Sequence, residues 1–259
     1  MLGIIFAILF GTLLGSFLNV CIYRIPREAS IVWPGSHCTS CKHDLEPIDL
    51  IPIFSFLFLK GRCRYCNKRI SARYPFIELL TGILYGFIYY HFGLSIETAM
   101  YALFAAVLLV LTMIDLEHMI LPTRIILFGA GMGLVFRILQ AALYQELIYL
   151  WEPLLSGVLG YGLFYGIFYL SKLLLKKEGL GFGDVRLIGM IGFYLSGSLL
   201  FFTIFASSIL ASVYGLVVLC MNRESEPFPF GPFISGAALV ALFYGYPLLE
   251  WYRHFMGLS

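Results

Sequence analysis

Long apolar runs alternate with short polar connections along most of this chain. A helix that crosses a membrane needs about 20 predominantly apolar residues, and a succession of such runs is typical of a polytopic membrane protein. The pattern therefore predicts an all-α fold with about eight transmembrane helices. The predicted spans are residues 2–23, 74–92, 96–114, 120–141, 153–175, 185–195, 199–221 and 233–251.

The run at residues 185–195 is shorter than the others, and Ser196-Gly197-Ser198 follows it directly. Glycine and serine between two apolar runs predict a turn. We therefore expect residues 185–221 to form a tight helical hairpin.

Composition indicates the same class of protein. Hydrophobic residues make up 60% of the 259 residues and charged residues only 12%, whereas a soluble domain is about 45–50% apolar and about 25% charged. The lipid bilayer is therefore a predicted partner. The formal net charge of +2 is too small to indicate a nucleic-acid partner.

The N-terminal run has no basic residue before its apolar core, whereas Arg24 and Arg27 follow it. A cleaved signal peptide carries its basic residues before the apolar core. We therefore expect this run to remain as a first span, with its N-terminus outside the cytoplasm.

Residues 24–73 are polar and hold nine of the seventeen Lys and Arg residues. Basic residues in short loops mark the cytoplasmic side of a membrane. The prediction therefore divides the chain into a first transmembrane helix at 1–23, a cytoplasmic domain at 24–73 and a membrane core at 74–259 with about seven helices. Six further basic residues fall on the same side: Arg124, Lys172, Lys176, Lys177, Arg186 and Arg223.

Two aspartates lie at the cytoplasmic ends of predicted spans in this topology. Asp115 follows one apolar run, and Asp184 precedes another as the last residue of Gly181-Phe182-Gly183-Asp184. Ionisable groups beside spans are costly and are usually functional. Two carboxyl groups about 3 Å apart cannot both ionise, so one keeps a proton while the other acts as a base. We therefore predict Asp115 and Asp184 as a catalytic pair that activates water for peptide hydrolysis.

Gly181 and Gly183 flank Phe182 in this motif. Glycine adopts backbone angles that other residues avoid and leaves room for another strand. We predict that the backbone at Gly181 and Gly183 lies at the active site, where a substrate strand approaches Asp184.

Each aspartate also has a structural alternative. Asp184 would cap a helix that starts at Val185, and Asp115 would pair with Arg124 or Arg186. The catalytic interpretation is favoured because both aspartates lie on one face of the membrane and one belongs to a Gly-x-Gly-Asp motif.

Glu78 lies inside the second predicted span, near its cytoplasmic end. A carboxyl group at such a position is of functional interest by default. Pairing with Arg73 or Arg24 would neutralise it, and the sequence assigns it no role.

Four of the six cysteines form two Cys-x2-Cys pairs in the cytoplasmic segment, namely Cys38, Cys41, Cys63 and Cys66. Four thiolates at this spacing suit a tetrahedral Zn²⁺ site, and a reducing compartment favours zinc over disulfides. All four ligands would come from the protein, so we predict a structural zinc ion. Reduced cysteines without a metal are the alternative, and His37 and His43 are predicted to lie beside the site rather than in it.

Several motifs occur in order along nearly the whole chain. They are residues 15–20, Arg24-Ile25-Pro26, the two Cys-x2-Cys pairs, residues 73–82, Ile114-Asp115 with Leu121-Pro122, residues 181–184 and residues 229–233. Together they resemble the bifunctional type IV prepilin peptidases, the prepilin leader peptidase/N-methyltransferase family.

The resemblance implies that Asp115 and Asp184 are the catalytic pair of a Gly-x-Gly-Asp aspartic peptidase. Such an enzyme cleaves the short basic leader of prepilins and pseudopilins after a glycine, at the cytoplasmic face of the prokaryotic inner membrane. It then methylates the new N-terminal amine with S-adenosylmethionine as donor. The resemblance also assigns the cysteine domain to the bifunctional branch of the family, and it leaves the residues that bind the donor unknown.

Two positions depart from the family pattern. Arg186 stands where many members have Lys, and Thr123 follows Leu121-Pro122 where Asp or Asn is common. Arg and Lys are not equivalent hydrogen-bond donors. Position 123 offers a hydroxyl group in place of the carboxyl or amide group that is common there.

Three other functions are alternatives to this one. A peptidase-only intramembrane aspartic protease of the presenilin type carries Tyr before the first Asp, where this chain has Ile114. A proton-coupled transporter places its charges near the midplane and shows paired halves, and we find no internal repeat. A non-enzymatic zinc-stapled membrane assembly factor would tolerate the loss of both aspartates.

Overall fold

The computed structural model describes residues 1–175, 180–222 and 228–257. Over these residues the regular structure is helical, apart from two isolated β-bridges, and the all-α prediction is confirmed. Short 3₁₀ helices occupy Ile25–Arg27 and Pro47–Leu50. The α-helices are α1 Leu2–Arg24, α2 Phe54–Phe58, α3 Arg73–Phe92, α4 Ile96–His118, α5 Thr123–Tyr144, α6 Ile148–Leu175, α7 Phe182–Gly192, α8 Gly197–Asn222 and α9 Gly231–Phe255.

Six of the described helices are long and apolar enough to cross a membrane: α1, α4, α5, α6, α8 and α9. The chain is therefore a multi-pass membrane protein. Within the described ranges, α3 with 20 residues and α7 with 11 do not join this group. Three basic residues that entered the topology prediction, Lys176, Lys177 and Arg223, lie outside the described residues.

The chain forms two compact units, Met1–Ala106 and Val107–Ser259. The predicted domains, with boundaries after residues 23 and 73, were defined by their position relative to the membrane. That division stays a prediction. In the first unit, α1 packs closely along α3 because α1 carries glycine at the contact. A Cβ atom on Gly11 would lie 2.8 Å from the Thr81 carbonyl oxygen, and one on Gly15 would lie 2.8 Å from Glu78 Cα. Small residues at such positions let two membrane helices approach closely.

The polar segment between α1 and α3 is tied to both helices by hydrogen bonds. The buried guanidinium of Arg24 donates to the carbonyl oxygens of Ser30 (2.9 Å) and Gly35 (3.0 Å). The carboxylate of Glu78 accepts from the backbone N–H of Ile53 at 2.7 Å. The side chains of Arg24 and Glu78 therefore anchor the backbone of this segment.

In the second unit, α7 is the most buried element and packs against α5 and α6. Leu187, Ile188 and Ile191 are fully enclosed. Tyr194, in the turn after α7, donates a hydrogen bond from its hydroxyl to the Gly129 carbonyl at 2.6 Å. This packing fixes the helix that carries Asp184.

A buried arginine on α5 binds the carbonyl groups that follow α7. The Arg137 guanidinium donates to the carbonyl oxygens of Phe193 (2.9 Å) and Tyr194, and to the Gln140 side-chain oxygen at 2.8 Å. The carbonyls at a helix C-terminus lack partners within the helix and carry partial negative charge. Arg137 is only 8% exposed. The carbonyl groups that follow α7 therefore stabilise its buried positive charge.

We expect Arg137→Met to lower the melting temperature of the purified protein in detergent by roughly 5 °C or more. The substitution leaves buried carbonyl oxygens unpaired, at a cost of about 3 kcal/mol. Arg253→Met is the matched control, because Arg253 is exposed in the last turn of α9. Equal melting temperatures for the two variants would contradict a stabilising role of Arg137.

Candidate active site and metal centre

Asp115 lies near the C-terminal end of α4 and is 5% exposed. Its Oδ2 accepts a hydrogen bond from the backbone N–H of Gly231, the first residue of α9, at 3.0 Å. The partner of the Asp115 carboxylate is therefore a helix N-terminus, which favours negative charge. Of the two arginines considered as ion-pair partners of Asp115, Arg124 and Arg186, the guanidinium of Arg186 donates to the Thr123 hydroxyl.

Asp184 lies in the first turn of α7 and is 6% exposed. Helix α7 begins at Phe182 after the N-cap residue Gly181, so Asp184 is not the cap of a helix starting at Val185. The Asp184 N–H donates to the Gly181 carbonyl at 3.1 Å. Its side-chain Oδ1 is buried and has no hydrogen-bond partner within the described parts of the chain. A buried oxygen of this kind is available to a ligand or a water molecule.

The two aspartates are brought together around Leu121. A Cβ atom on Gly183 would lie 2.8 Å from Leu121 Cβ. A Cβ atom on Gly231 would lie 3.2 Å from Leu121 Cδ2 and 2.6 Å from Asp115 Oδ2. The two carboxyl groups also interact electrostatically with each other. A side chain at either glycine would thus displace the groups that hold the pair.

The glycines of the Gly-x-Gly-Asp motif are required for space more than for unusual backbone angles. Gly181 has φ −69° and ψ 137°, which other residues adopt readily. A Cβ atom there would lie 2.9 Å from Asp184 Oδ2. The absence of a side chain at position 181 therefore leaves room beside the carboxyl group of Asp184.

Gly231 is the site residue that sequence reasoning did not single out. It belongs to the motif at residues 229–233, which contributed to the resemblance without a role of its own. Its N–H reaches Asp115 across 116 positions of sequence. The glycine within this motif was the only feature of the sequence that could have pointed to a role for position 231.

Glu117 and His118 follow Asp115 but do not share its environment. Their side chains are 30% and 31% exposed, and Glu117 Oε2 lies 4.0 Å from His118 Nε2. Both side chains are therefore more exposed to solvent than the buried carboxyl group of Asp115.

The two residues that depart from the family pattern contact each other beside the aspartates. The Arg186 guanidinium donates to the Thr123 hydroxyl and lies 4.2 Å from the centroid of the Phe182 ring. These contacts join the first turn of α5 to the first turns of α7. Arg186 and Thr123 thus form one polar unit in which a guanidinium bonds a neutral hydroxyl.

We expect Arg186→Lys to lower kcat/KM for leader cleavage by about tenfold, because an ammonium loses the planar contact with Phe182 and prefers a carboxylate partner. Adding Thr123→Asp supplies that partner and should restore most of the activity. The two single variants and the double variant form a double-mutant cycle, in which contacting residues typically show coupling energies of about 0.5–3 kcal/mol.

Arg124→Lys serves as the control for this cycle, since Arg124 is the exposed neighbour of Thr123. Its kcat/KM should equal that of the wild type. Additive effects of the Arg186 and Thr123 substitutions would show that the two residues do not act as a unit.

The four predicted metal ligands meet in the polar segment of the first unit. The Sγ atoms of Cys38, Cys41, Cys63 and Cys66 all lie within 4.8 Å of one another. The pKa of the Cys38 thiol is lowered to about 6, chiefly by a hydrogen bond from the backbone N–H of Cys41. Thiolates are the form that binds metal. The four clustered thiols offer the number and type of ligands that a tetrahedral Zn²⁺ ion takes.

The two Cys-x2-Cys pairs have the same backbone structure. Cys38 N–H donates to the His43 carbonyl and Cys63 N–H to the Lys68 carbonyl, both at 2.9 Å. The fourth residue after each first cysteine has positive φ, 61° at Lys42 and 57° at Asn67. The segment therefore contains two similar knuckles. The ring of His43 in the first lies against the ring of Tyr65 in the second, with centroids 3.6 Å apart and ring planes tilted by 40°.

Comparisons with known proteins identify families and relatives that are similar to this chain. The model of the bacterial peptidase A24 N-terminal domain matches residues 9–92, and that of the type IV leader peptidase family matches residues 102–216. A prepilin leader peptidase/N-methyltransferase of Pseudomonas aeruginosa is 34% identical over 96% of this chain and 93% of its own length. One of Bacillus subtilis is 34% identical over 97% of this chain and 98% of its own length. No solved structure matches the chain at a significant level.

The chain falls in the class of membrane peptidases, because six of its described helices could cross a membrane and two peptidase family models match it. More specifically, the chain belongs to the prepilin leader peptidase/N-methyltransferase family, because its relatives match it over nearly their full length. The resemblance given by its motifs is thereby confirmed.

Proposed function

We propose that this chain cleaves the leader from type IV prepilins or pseudopilins and then methylates the new N-terminal residue. The observation that supports the peptidase step is the buried pair of Asp115 and Asp184, one carboxylate bonded to a backbone amide and the other with an unpartnered oxygen. Relatives that carry both activities in their names support the same pair of reactions.

In the proposed peptidase step the two carboxyl groups share one proton. Asp115 accepts the Gly231 N–H and Asp184 accepts the Gly181 N–H, so each carboxyl group has one backbone donor. We assign Asp115 as the general base that takes a proton from water, because Asp184 is buried beside the charge of Asp115 and retains its proton. Asp184, protonated, donates a hydrogen bond to the carbonyl oxygen of the scissile peptide and later gives its proton to the leaving amine. The water oxygen bonds to the carbonyl carbon, the C–N bond breaks, and no covalent enzyme intermediate forms.

The proposed topology has eight spans, with α3 and α7 crossing in addition to the six long apolar helices. Nine of the seventeen basic residues then lie in a cytoplasmic segment with the cysteines, and both aspartates lie at the cytoplasmic surface. A prepilin places its basic leader in the cytoplasm and its apolar helix in the bilayer. The proposed site lies at the junction of these two parts.

The cofactors follow from the two halves of the function. The four clustered thiols would hold a structural Zn²⁺ ion, which stabilises the polar segment and takes no part in peptide hydrolysis. S-adenosylmethionine would supply the methyl group that is transferred to the new N-terminal amine.

Leader cleavage by purified protein in detergent tests this proposal. A synthetic prepilin that includes the leader and the start of the apolar helix is incubated with and without S-adenosylmethionine, and the product N-terminus is read by mass spectrometry. We expect a product that begins after the leader glycine and that gains the mass of one methyl group only when the donor is present.

The alternatives give different outcomes in the same assay. A peptidase-only enzyme would release the same product and leave it unmethylated with the donor present. A membrane assembly factor would leave the prepilin intact. Either outcome would replace the proposal.

A further inference from the structure

The polar segment between α1 and α3 carries an apolar surface of its own. In and between its 3₁₀ helix Pro47–Leu50 and helix α2, five large side chains are 45–82% exposed: Ile48, Ile51, Phe54, Leu57 and Phe58. All of these except Leu57 line one cleft of about 200 Å³. Neighbouring exposed apolar side chains of this kind mark a surface that contacts a protein or a lipid. We call these five residues the apolar patch.

The packing of α1 against α3 shows at what level of the membrane α2 begins. The Glu78 carboxylate on α3 accepts hydrogen bonds from the Ser16 hydroxyl of α1 and from the N–H of Ile53, the N-cap residue of α2. Ser16 precedes Arg24, the last residue of α1, by about 12 Å along the helix axis. Helix α2 therefore starts well below the Arg24 end of α1, toward the middle of the membrane.

This level lies inside the hydrocarbon layer. Helix α1 is one of the helices that could cross a membrane, and it has 23 residues. It extends about 34 Å, so its ends reach only slightly beyond a hydrocarbon layer about 30 Å thick. Ser16, and with it the start of α2, therefore lies within that layer. Large apolar side chains that are exposed at this level contact acyl chains.

The backbone of α2 is paired at both ends, as a location in lipid requires. At its start the Ile53 N–H donates to the Glu78 carboxylate at 2.7 Å. At its end the N–H groups of Leu59, Lys60 and Gly61 donate to carbonyl oxygens of α2 at 2.8–3.1 Å. Backbone groups in the hydrocarbon layer must find their partners within the protein. The N–H groups at the two ends of this short helix meet that condition.

Basic side chains follow the apolar patch at the level where the chain returns to the membrane surface. The Gly61 carbonyl accepts from the N–H of Ile70 at 2.8 Å, just before α3 begins at Arg73. Lys60 and Arg62 flank this glycine and are exposed. Lysine and arginine place their charges at the headgroups while their stems lie on apolar surface, and anionic lipids attract them.

We propose that the apolar patch inserts into the acyl layer of the leaflet at the Arg24 end of α1, and that Lys60 and Arg62 bind the headgroups of anionic phospholipids beside it. Lipid would then hold the zinc knuckles against the membrane, in addition to the two helices at the ends of the segment. The inference depends on the crossing of the membrane by α1. It does not depend on leader cleavage or methyl transfer.

Fluorescence quenching by brominated lipids tests the insertion. The full-length chain carries Trp33→Phe, Trp151→Phe and Trp251→Phe, so that each added tryptophan is the only one. This parent protein and its variants are reconstituted into vesicles of phosphatidylcholine with a minority of phosphatidylglycerol. Bromine on the acyl chains quenches a tryptophan that lies among them.

Three single-tryptophan variants are compared. Phe58→Trp reports on the apolar patch, Leu9→Trp on an exposed position of α1 is the reference in lipid, and Ser40→Trp in the exposed first knuckle is the control in water. An apolar face at a membrane interface is buried about 5–10 Å below the headgroups, so we expect Phe58→Trp to show at least about half of the quenching of Leu9→Trp. Ser40→Trp should show little quenching.

The melting temperature in detergent, equal to that of the parent protein, shows that each variant is folded. Quenching of Phe58→Trp no greater than that of Ser40→Trp would overturn the insertion. In that case a protein surface, such as the apolar helix of a prepilin, would be the occupant of the apolar patch.

The preference for anionic lipid is measured with Phe58→Trp by placing the bromine on either phosphatidylglycerol or phosphatidylcholine in vesicles of the same composition. We expect quenching per mole to be about threefold or more greater for brominated phosphatidylglycerol, because basic residues attract anionic headgroups. Lys60→Gln combined with Arg62→Gln should remove this difference. Lys42→Gln, which neutralises an exposed lysine of the first knuckle, is the matched control and should keep it. Equal quenching by the two lipids would overturn the assignment of Lys60 and Arg62.

Discussion

We expect Asp115→Asn and Asp184→Asn each to lower the rate of leader cleavage by about 10³-fold or more. Asparagine has nearly the same shape as aspartate, but it can neither take a proton from water nor give one to the leaving amine. General acid–base catalysis by one positioned group typically contributes about 10²–10⁴-fold, and both groups are needed for one reaction. The measurement is the initial rate of cleavage of a synthetic prepilin.

Two controls make this result specific. Glu117→Gln changes an acidic residue two positions after Asp115 whose side chain is 30% exposed, and it should cleave at the wild-type rate. Both aspartate variants should also methylate a synthetic peptide that already lacks its leader, which shows that they are folded. Cleavage at the wild-type rate by either aspartate variant would rule out the two-aspartate mechanism.

The second large effect concerns the cysteines. We expect the purified protein to contain one zinc ion per chain and Cys63→Ser to lose nearly all of it, because three remaining thiolates leave the tetrahedral site incomplete. Structural zinc sites supply about 10–16 kcal/mol of apparent binding energy in small domains. Residues 25–72 should therefore become readily cleaved by protease in the variant. Elemental analysis and limited proteolysis measure the two effects.

Cys220→Ser is the matched control, since Cys220 is an exposed cysteine on α8 that lies outside the cluster. Its zinc content should equal that of the wild type. A wild-type protein purified without metal, with residues 25–72 still resistant to protease, would favour the alternative of reduced cysteines without a metal.

The sequence contained enough information for the helices because apolar runs of membrane length have few alternatives to the helix. Their ends were predicted less well. The predicted span at residues 120–141 corresponds to α5, which begins only at Thr123. Pro122 precedes it with φ −62° and ψ 117°, so the turn between α4 and α5 takes up Ile120 and Leu121. This turn matters for function because Leu121 contacts the glycines beside both aspartates.

The backbone groups that bind the buried carboxylates could not be predicted from the types of residue in the sequence. For Glu78 the sequence suggested only Arg73 or Arg24 as partners, and the structure adds a hydrogen bond from the Ile53 amide to its carboxylate. Asp115 accepts from the amide of Gly231. Every residue except proline has such an N–H group, so only the fold decides which one reaches a given carboxylate.

The sequence shows the repeated Cys-x2-Cys spacing but not the full likeness of the two knuckles. The two knuckles share the Cys-x2-Cys spacing and a residue with positive φ, but that residue is Lys42 in one and Asn67 in the other. Their likeness lies in backbone hydrogen bonds, which leave little trace in side-chain identity.

The length of α7 has a consequence for the lipid around the protein. Its 11 residues extend about 16 Å along the helix axis, while the hydrocarbon layer is about 30 Å thick. The polar groups at its two ends, the Asp184 carboxyl group and the carbonyls bound by Arg137, therefore cannot lie at opposite surfaces of a layer of normal thickness. With Asp184 at the cytoplasmic surface, the bilayer must thin or water must enter from the opposite side as far as Arg137. The enzyme would then deform the membrane at the place where it receives an apolar substrate helix.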